Sequence, residues 1–311
     1  MLTDSQRQVF EALTLYGETF FAREFRALKI KPRLFPLIVG PTGAGKSFLV
    51  RKAAAELDSH YLRLTFGDWL PRGVRPDSGG QTAFTIISAA LEEGRVLLHI
   101  DELDKMREDF EHHWTRAVAN DVWNVLDGNL PVRDYFKVQR QDATPEQVAD
   151  AEAQLRKKLW IVGSGTWQSV FEQESRSPMG FGSASVAEFK AEAASEKIRS
   201  AKTIPEELLA RFSSNLLFVR YPASDVEKQS LLEECGLLAL AKQLGRHVGP
   251  TDLDFNRGGM RRLETLAADL LLDVRRTAAL SRKPRGDKRK CRAPAARGDP
   301  GDLFSLQDPE A

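Results

Sequence analysis

Cysteine is nearly missing from this 311-residue chain, which has only Cys235 and Cys291. Two thiols are too few for a disulfide framework or a cysteine-rich metal site. An excess of one charge is missing as well. Lys and Arg number 45 against 44 Asp and Glu, a formal net charge of +1, so any basic surface has to be local. No apolar run approaches the roughly twenty residues of a membrane span. Met1, Leu2, Thr3 and Asp4 lead directly into a helical pattern, with no signal-peptide segment. These absences predict a cytoplasmic protein without a membrane partner. The histidines add no metal site: His112 and His113 are neighbours and share no helix face. His60, His99 and His247 lack a Cys or carboxylate set at ligand spacing. His99 interrupts an apolar run and reads as a hydrogen-bonded core histidine.

What is present is ordinary for a globular chain, 42% hydrophobic and 29% charged. The length suits one large domain and a smaller one. Residues 5–28 have helical spacing (Val9, Phe10, Leu13, Tyr16, Phe20, Phe21, Phe25), broken by Pro32 and Pro36. Strand-like runs at 37–39, 60–66, 96–100 and 159–162 alternate with helical patterns at 48–57, 82–93, 109–126 and after Thr144-Pro145. The helix over 109–126 should stop at Asp127-Gly128, and 132–138 reads as a hairpin. Alternating strands and helices predict an α/β fold, a parallel sheet with helices on both faces. Beyond Pro222 the pattern becomes all helical. The expected organisation is a large α/β domain over 1–222, a small all-α domain over 223–281, and a basic-then-acidic disordered tail over 282–311.

The chemistry lies in two motifs. Gly40-Pro41-Thr42-Gly43-Ala44-Gly45-Lys46-Ser47 fits G-x-x-x-x-G-K-[ST] between an apolar run and a helix, the context a phosphate loop needs. Backbone N–H groups of residues 42–46 would surround the β-phosphate at the positive end of the helix. Lys46 would reach the β- and γ-oxygens, and the Ser47 hydroxyl would ligate Mg²⁺. The second motif is Val96-Leu97-Leu98-His99-Ile100, an apolar run ending in Asp101-Glu102. Asp101 would hold Mg²⁺ through its water shell, and Glu102 would polarise the attacking water. Together the motifs predict ATP or GTP binding, and Glu102 points to hydrolysis.

This order of parts resembles an AAA+ ATPase of the ClpX/HslU-type unfoldase branch, over roughly residues 1–280 and without that branch's zinc-binding N-terminal domain. The carriers are the phosphate loop, Ile100-Asp101-Glu102-Leu103-Asp104-Lys105, Asp121-Val122-Trp123-Asn124-Val125-Leu126-Asp127-Gly128, and two arginine segments. Ile204-Pro205-Glu206-Glu207-Leu208-Leu209-Ala210-Arg211-Phe212 is similar to the arginine-finger segment. Gly258-Gly259-Met260-Arg261 is similar to the second sensor. The resemblance implies ATP and Mg²⁺ as cofactors and a P-loop NTPase fold with a small C-terminal lid. It also implies a homo-oligomeric, hexameric ring in which Arg211 enters a neighbour's site while Arg261 contacts phosphate in its own. Ser164 and Thr166 compete as first sensor, with Thr166 preferred, and Arg257 and Arg262 compete with Arg261.

Two readings of the partner stay open. Met179-Gly180-Phe181-Gly182 resembles the loop with which ClpX docks on its peptidase, which together with the overall likeness favours remodelling of a protein substrate or effector. At the position of the aromatic pore loop stands Gly73-Val74-Arg75-Pro76. That stretch, the basic hairpin with Arg133, Lys137 and Arg140, and the basic tail favour a switch acting on DNA. A regulatory ATPase that gates a separate effector enzyme is the third reading.

Overall fold

The structure is a computed structural model that describes residues 2–22, 34–69, 81–105, 113–167, 191–200, 206–213, 216–222, 224–255 and 259–281. Residues 73–76, 179–182 and 282–311 lie outside the described residues, and with them the pore-loop, docking-loop and tail expectations. The chain divides into two compact units, Met1–Leu270 and Leu271–Ala311. The described part of the second is helix only, ending at Ser281.

Five parallel strands build the first unit: β1 (Leu37–Val39), β2 (His60–Thr65), β3 (Val96–Asp101), β4 (Leu159–Gly165) and β5 (Leu216–Phe218). Their order is β2-β3-β4-β1-β5. Every residue of β1, β3 and β4 is buried, as a parallel sheet covered on both faces requires. The period of two sorts the side chains. Ile38, Leu97, Trp160 and Val162 face one way, under α1 (Asp4–Phe21) and α2 (Lys46–Glu56). Leu37, Val39, Leu98, Ile100 and Ile161 face the other. That face is covered by α3 (Thr82–Glu92), α4 (His113–Asp127), α5 (Val132–Val138) and α6 (Pro145–Lys158). The chain leaves β1 for the far edge, returns through β3 and β4, and then passes to β5 on the other side of β1. The carboxyl ends of the strands beside that switch are where an open α/β sheet places its ligand.

Most local signals translate directly. The helix over Pro145–Lys158 opens with a capping box between Thr144 and Gln147 and has proline in its first turn. The helix before Gly128 ends there, with the glycine at φ 74°. Three expectations need correction. The residues read as a hairpin form α5, because Val132, Tyr135 and Phe136 fall at helical spacing and bury one stripe, with Tyr135 edge-on to Phe84. Arg133 and Lys137 project from the exposed side of that helix, and Arg140 sits in the turn after it. The strand expected to end at Val162 continues to Gly165, which puts Ser164 inside the sheet. The first helix ends at Phe21, with Ala22 extended, and residues 23–28 of the expected helix lie outside the described residues. Phe20 and Phe21, packed edge to face, are both buried in its last turn.

After β4 come α7 (Ala191–Ser200) and α8 (Glu206–Leu209), and after β5 come α9 (Asp225–Glu234), α10 (Leu237–Gln243) and α11 (Arg261–Ser281). Leu231, Leu232, Leu237, Phe255, Leu263 and Leu266 enclose a separate apolar cluster. Among the described residues no helix is long and apolar enough to cross a membrane.

Trp160 ties the first face together. Its ring is fully buried against Phe21, and its Nε1–H donates to the Leu34 carbonyl at 2.9 Å. Trp160→Ala is expected to cost ~3–5 kcal/mol in urea unfolding. Trp160→Phe, which chiefly loses the hydrogen bond, should cost about 1–3 kcal/mol.

Candidate functional site

Beyond the end of β1 the chain makes a tight loop into α2. Gly43 and Gly45 take φ of 78° and 93°, and Gly45 is the N-cap of the helix. Three successive loop carbonyls are held by outside groups. The Tyr221 hydroxyl donates to Thr42 O, the Met260 N–H to Gly43 O at 2.8 Å, and Gln6 Nε2 to Ala44 O at 2.9 Å. These bonds fix three peptide planes and thereby the directions of the Gly43, Ala44 and Gly45 N–H groups. Gly259, at φ 60°, lies so close that a Cβ would fall 2.7 Å from the Gly43 backbone.

Facing the loop is the end of β3. The Asp101 Oδ2 atom accepts from Ser47 Oγ at 2.9 Å and from Arg63 Nε and Nη2 at 3.1 and 2.8 Å. Oδ1 accepts from Ser164 Oγ at 2.5 Å and from the Glu102 N–H at 2.9 Å. The sheet register explains this convergence. Arg63 pairs with His99 and Thr65 with Asp101, so Arg63 and Asp101 are diagonal neighbours on the α2 face. Behind them runs a buried chain in which His99 Nε2 is 2.8 Å from Ser164 Oγ and Nδ1 is 2.9 Å from the Tyr61 hydroxyl. The Ser164 proton is committed to Asp101, so His99 Nε2–H donates to Ser164 and Nδ1 accepts from Tyr61.

Burial acts on each titrating group here. It brings His99 down to about 4 although the Asp101 charge opposes the shift, and it pushes Tyr61 up to about 12. It also pulls Lys46 below its ordinary value, opposed by the charges of Asp101 and Asp104. Burial alone would raise Asp101, yet the His99 charge and the Ser164, Arg63 and Ser47 hydrogen bonds hold it well below the carboxylate range. His99 is neutral at pH 7, so there the hydrogen bonds carry the effect. Glu102 sits in the left-handed region at φ 64°, a conformation that costs of order 1–3 kcal/mol and turns the chain sharply at the strand end. Its carboxylate pairs with Lys105 at 2.8 Å.

Loop and strand end border a cavity of about 740 Å³, within the range usual for small-molecule sites. Lys46, Ser47, Asp101, Glu102, Thr166 and Arg261 all line it, as do Thr42, Gly43 and Gly45. Thr166, just past β4, therefore reaches the cavity, whereas Ser164 is fully buried and reaches Asp101 instead. Arg261 opens α11 and lines the cavity; Arg262 turns to the Asp252 carbonyl, and Arg257 is outside the described residues. Lys46 Nζ donates to Gly40 O and Pro41 O at 2.7 and 3.1 Å. Ala44 is buried beneath the loop. Arg211 is absent from the lining: it makes a two-nitrogen ion pair with Asp127 at 2.7 and 2.8 Å and lies over the Trp123 ring. The residues fit a Mg²⁺-nucleotide. The glycine loop is shaped for phosphate, Lys46 and Arg261 supply positive charge, and Ser47 and Asp101 are hard oxygen donors 2.9 Å apart.

Sequence reasoning missed Gln6, Arg63 and Tyr221, and gave Met260 only as part of the second-sensor segment. A capping-box spacing from Thr3 to Gln6 was there to be read, but nothing local says that the Gln6 amide also reaches Ala44.

Residues 36–159 match the family described as "ATPase family associated with various cellular activities (AAA)". A stretch of 133 residues is 30% identical to the 26S proteasome regulatory subunit 6A of Schizosaccharomyces pombe, covering 41% of this chain and 30% of that protein. The chain thus spans about a third of the length of the curated relative it matches. With the parallel sheet and the two motifs, the match makes this segment similar to an AAA-type ATPase domain.

Gln6→Glu preserves the capping acceptor for Thr3 N–H but places a carboxylate against the Ala44 carbonyl. It should leave the helical circular dichroism unchanged and weaken ATP binding by roughly five- to thirtyfold in calorimetric titration, from ~1–2 kcal/mol of lost and repulsive contact.

Proposed function

We propose that this protein is a ring-forming AAA+ ATPase that uses ATP hydrolysis to remodel a protein partner, in the manner of ClpX-like unfoldases. The observation that carries the hydrolytic part is the meeting of Lys46, Ser47, Asp101 and Glu102 around one cavity with Arg261 and Thr166. Lys46 and Arg261 bind phosphate oxygens, Ser47 and Asp101 hold Mg²⁺, and Thr166 acts as the first sensor. The cation neutralises charge on the phosphoryl oxygens when bound. Glu102 is the general base that orients the attacking water, which requires its carboxylate to leave Lys105.

Arg211 is the trans-acting finger. It stands apart from its own chain's cavity on a half-exposed turn, and Asp127 and Trp123 hold it there. A neighbouring subunit in a hexameric ring would receive it, and residues 223–281 would form the lid over the nucleotide. The likeness to a proteasome regulatory subunit supports a protein as the remodelled species. The reading as a DNA switch rested partly on a basic hairpin. On the helix that replaces it, Lys137 pairs with Asp134 at 3.8 Å while Arg133 and Arg140 stay exposed, and the other supports of that reading, residues 73–76 and the tail, lie outside the described residues.

Glu102→Gln should bind ATP about as wild type does and hydrolyse it ~10²–10⁴-fold more slowly, whereas Lys46→Ala should lose binding. Near-wild-type turnover of the Gln variant in a phosphate-release assay would refute the base assignment. Arg211→Ala should keep nucleotide affinity and lose hydrolysis, by about 10³-fold if it matches other arginine fingers. Mixing it with Lys46→Ala should restore part of the activity, because some interfaces then combine an intact site with an intact finger. Turnover per subunit that is independent of protein concentration, in a protein that sediments as a monomer, argues against the ring.

A further inference from the structure

We propose that Arg63 competes with a divalent cation for Asp101 and thereby sets the cation dependence of nucleotide binding; this rests on the reading of the cavity as a Mg²⁺-nucleotide site. An ionised carboxylate offers about four lone-pair positions. At Asp101 all are engaged: Oδ2 takes Ser47 and both Arg63 nitrogens, and Oδ1 takes Ser164 and the Glu102 N–H. A hydrated cation needs an Asp101 oxygen, so one donor has to yield.

The donors are not equally free to leave. Ser164 lies inside β4 with no exposed surface, and the Glu102 donor is backbone. Ser47 belongs to the first turn of α2 and is itself a ligand candidate. Arg63 sits near the edge of the sheet on β2, its side chain 45% exposed against 8% for Asp101, and it lines the same cavity. Its departure leaves the sheet and the buried Tyr61–His99–Ser164 chain untouched. Before it leaves, its guanidinium supplies the positive charge that the carboxylate needs beside incoming phosphates. Arg63 is therefore a positioning residue that substitutes for cation charge and resists the cation's entry.

Two opposite effects follow from removing it. Without Arg63 the cation displaces nothing, so less Mg²⁺ is needed. Without cation the bare Asp101 charge repels the phosphates, so nucleotide binds less well. The probe is N-methylanthraniloyl-ADP fluorescence, titrated with nucleotide in EDTA and with Mg²⁺ at fixed nucleotide, for wild type, Arg63→Ala and Arg63→Lys. Arg63→Ala should lower the half-saturating Mg²⁺ about three- to tenfold, the scale of a half-exposed two-nitrogen ion pair. It should also weaken binding in EDTA by a similar factor. Arg63→Lys, which keeps the charge but not the planar fork, should fall between. A folded Arg63→Ala protein with wild-type Mg²⁺ dependence overturns the role of Arg63 while leaving the nucleotide site standing. Wild-type protein that binds the probe under neither condition overturns both.

Discussion

The carboxylate of Asp101 is the point on which the first unit is hung. It ends the central strand β3 and is bound by side chains from β2, α2 and β4, segments separated by 38 to 63 residues. A charge this buried is tolerated only when its lone pairs are met by donors. Meeting them ties two things together: the approach of the phosphate-loop helix to the strand, and the depth of Ser164 in the sheet. The same demand explains why β3 stops being apolar here. Its preceding residues bury on both faces, and the first carboxylate at its end is where the sheet meets the cavity.

The first motif and the acidic strand end were legible because each is a local pattern: glycines where φ must be positive, an apolar run where both faces are covered, carboxylates where cover ends. The parallel sheet followed from the alternation of such runs. Arg63 was not legible. Its meaning depends on the offset between β2 and β3, which makes Arg63 a diagonal neighbour of Asp101, and no single strand contains that offset. His99 read correctly as a hydrogen-bonded core residue, but its partners Tyr61 and Ser164 come from two other strands.

The misreadings have a common origin. In residues 132–138 the spacing of Val132, Tyr135 and Phe136 decides which stripe buries against α3. The aromatic pattern runs on past α1 to Phe25, whereas the helix itself stops at Phe21 with Ala22 extended. In both places the burial demand of neighbouring elements overrode a pattern read along one segment.

The three bonds to the phosphate-loop carbonyls carry the argument furthest from the sequence. Gln6 comes from the first helix, Tyr221 from the segment after β5, and Met260 from the residue before α11. Met260 holds Gly43 through its N–H, and the next residue, Arg261, begins the helix and lines the cavity. The peptide that docks on the loop is therefore also the one that aims Arg261 at it. A rotation of the Gly43 peptide has to break or carry the Met260 bond, and Gly259 leaves no room for a side chain there, because a Cβ on it would fall 2.7 Å from the Gly43 backbone. The loop's geometry and the start of α11 are accordingly one mechanical element. A shift of the Gly43 peptide reaches the first turn of α11 through the Met260 backbone hydrogen bond.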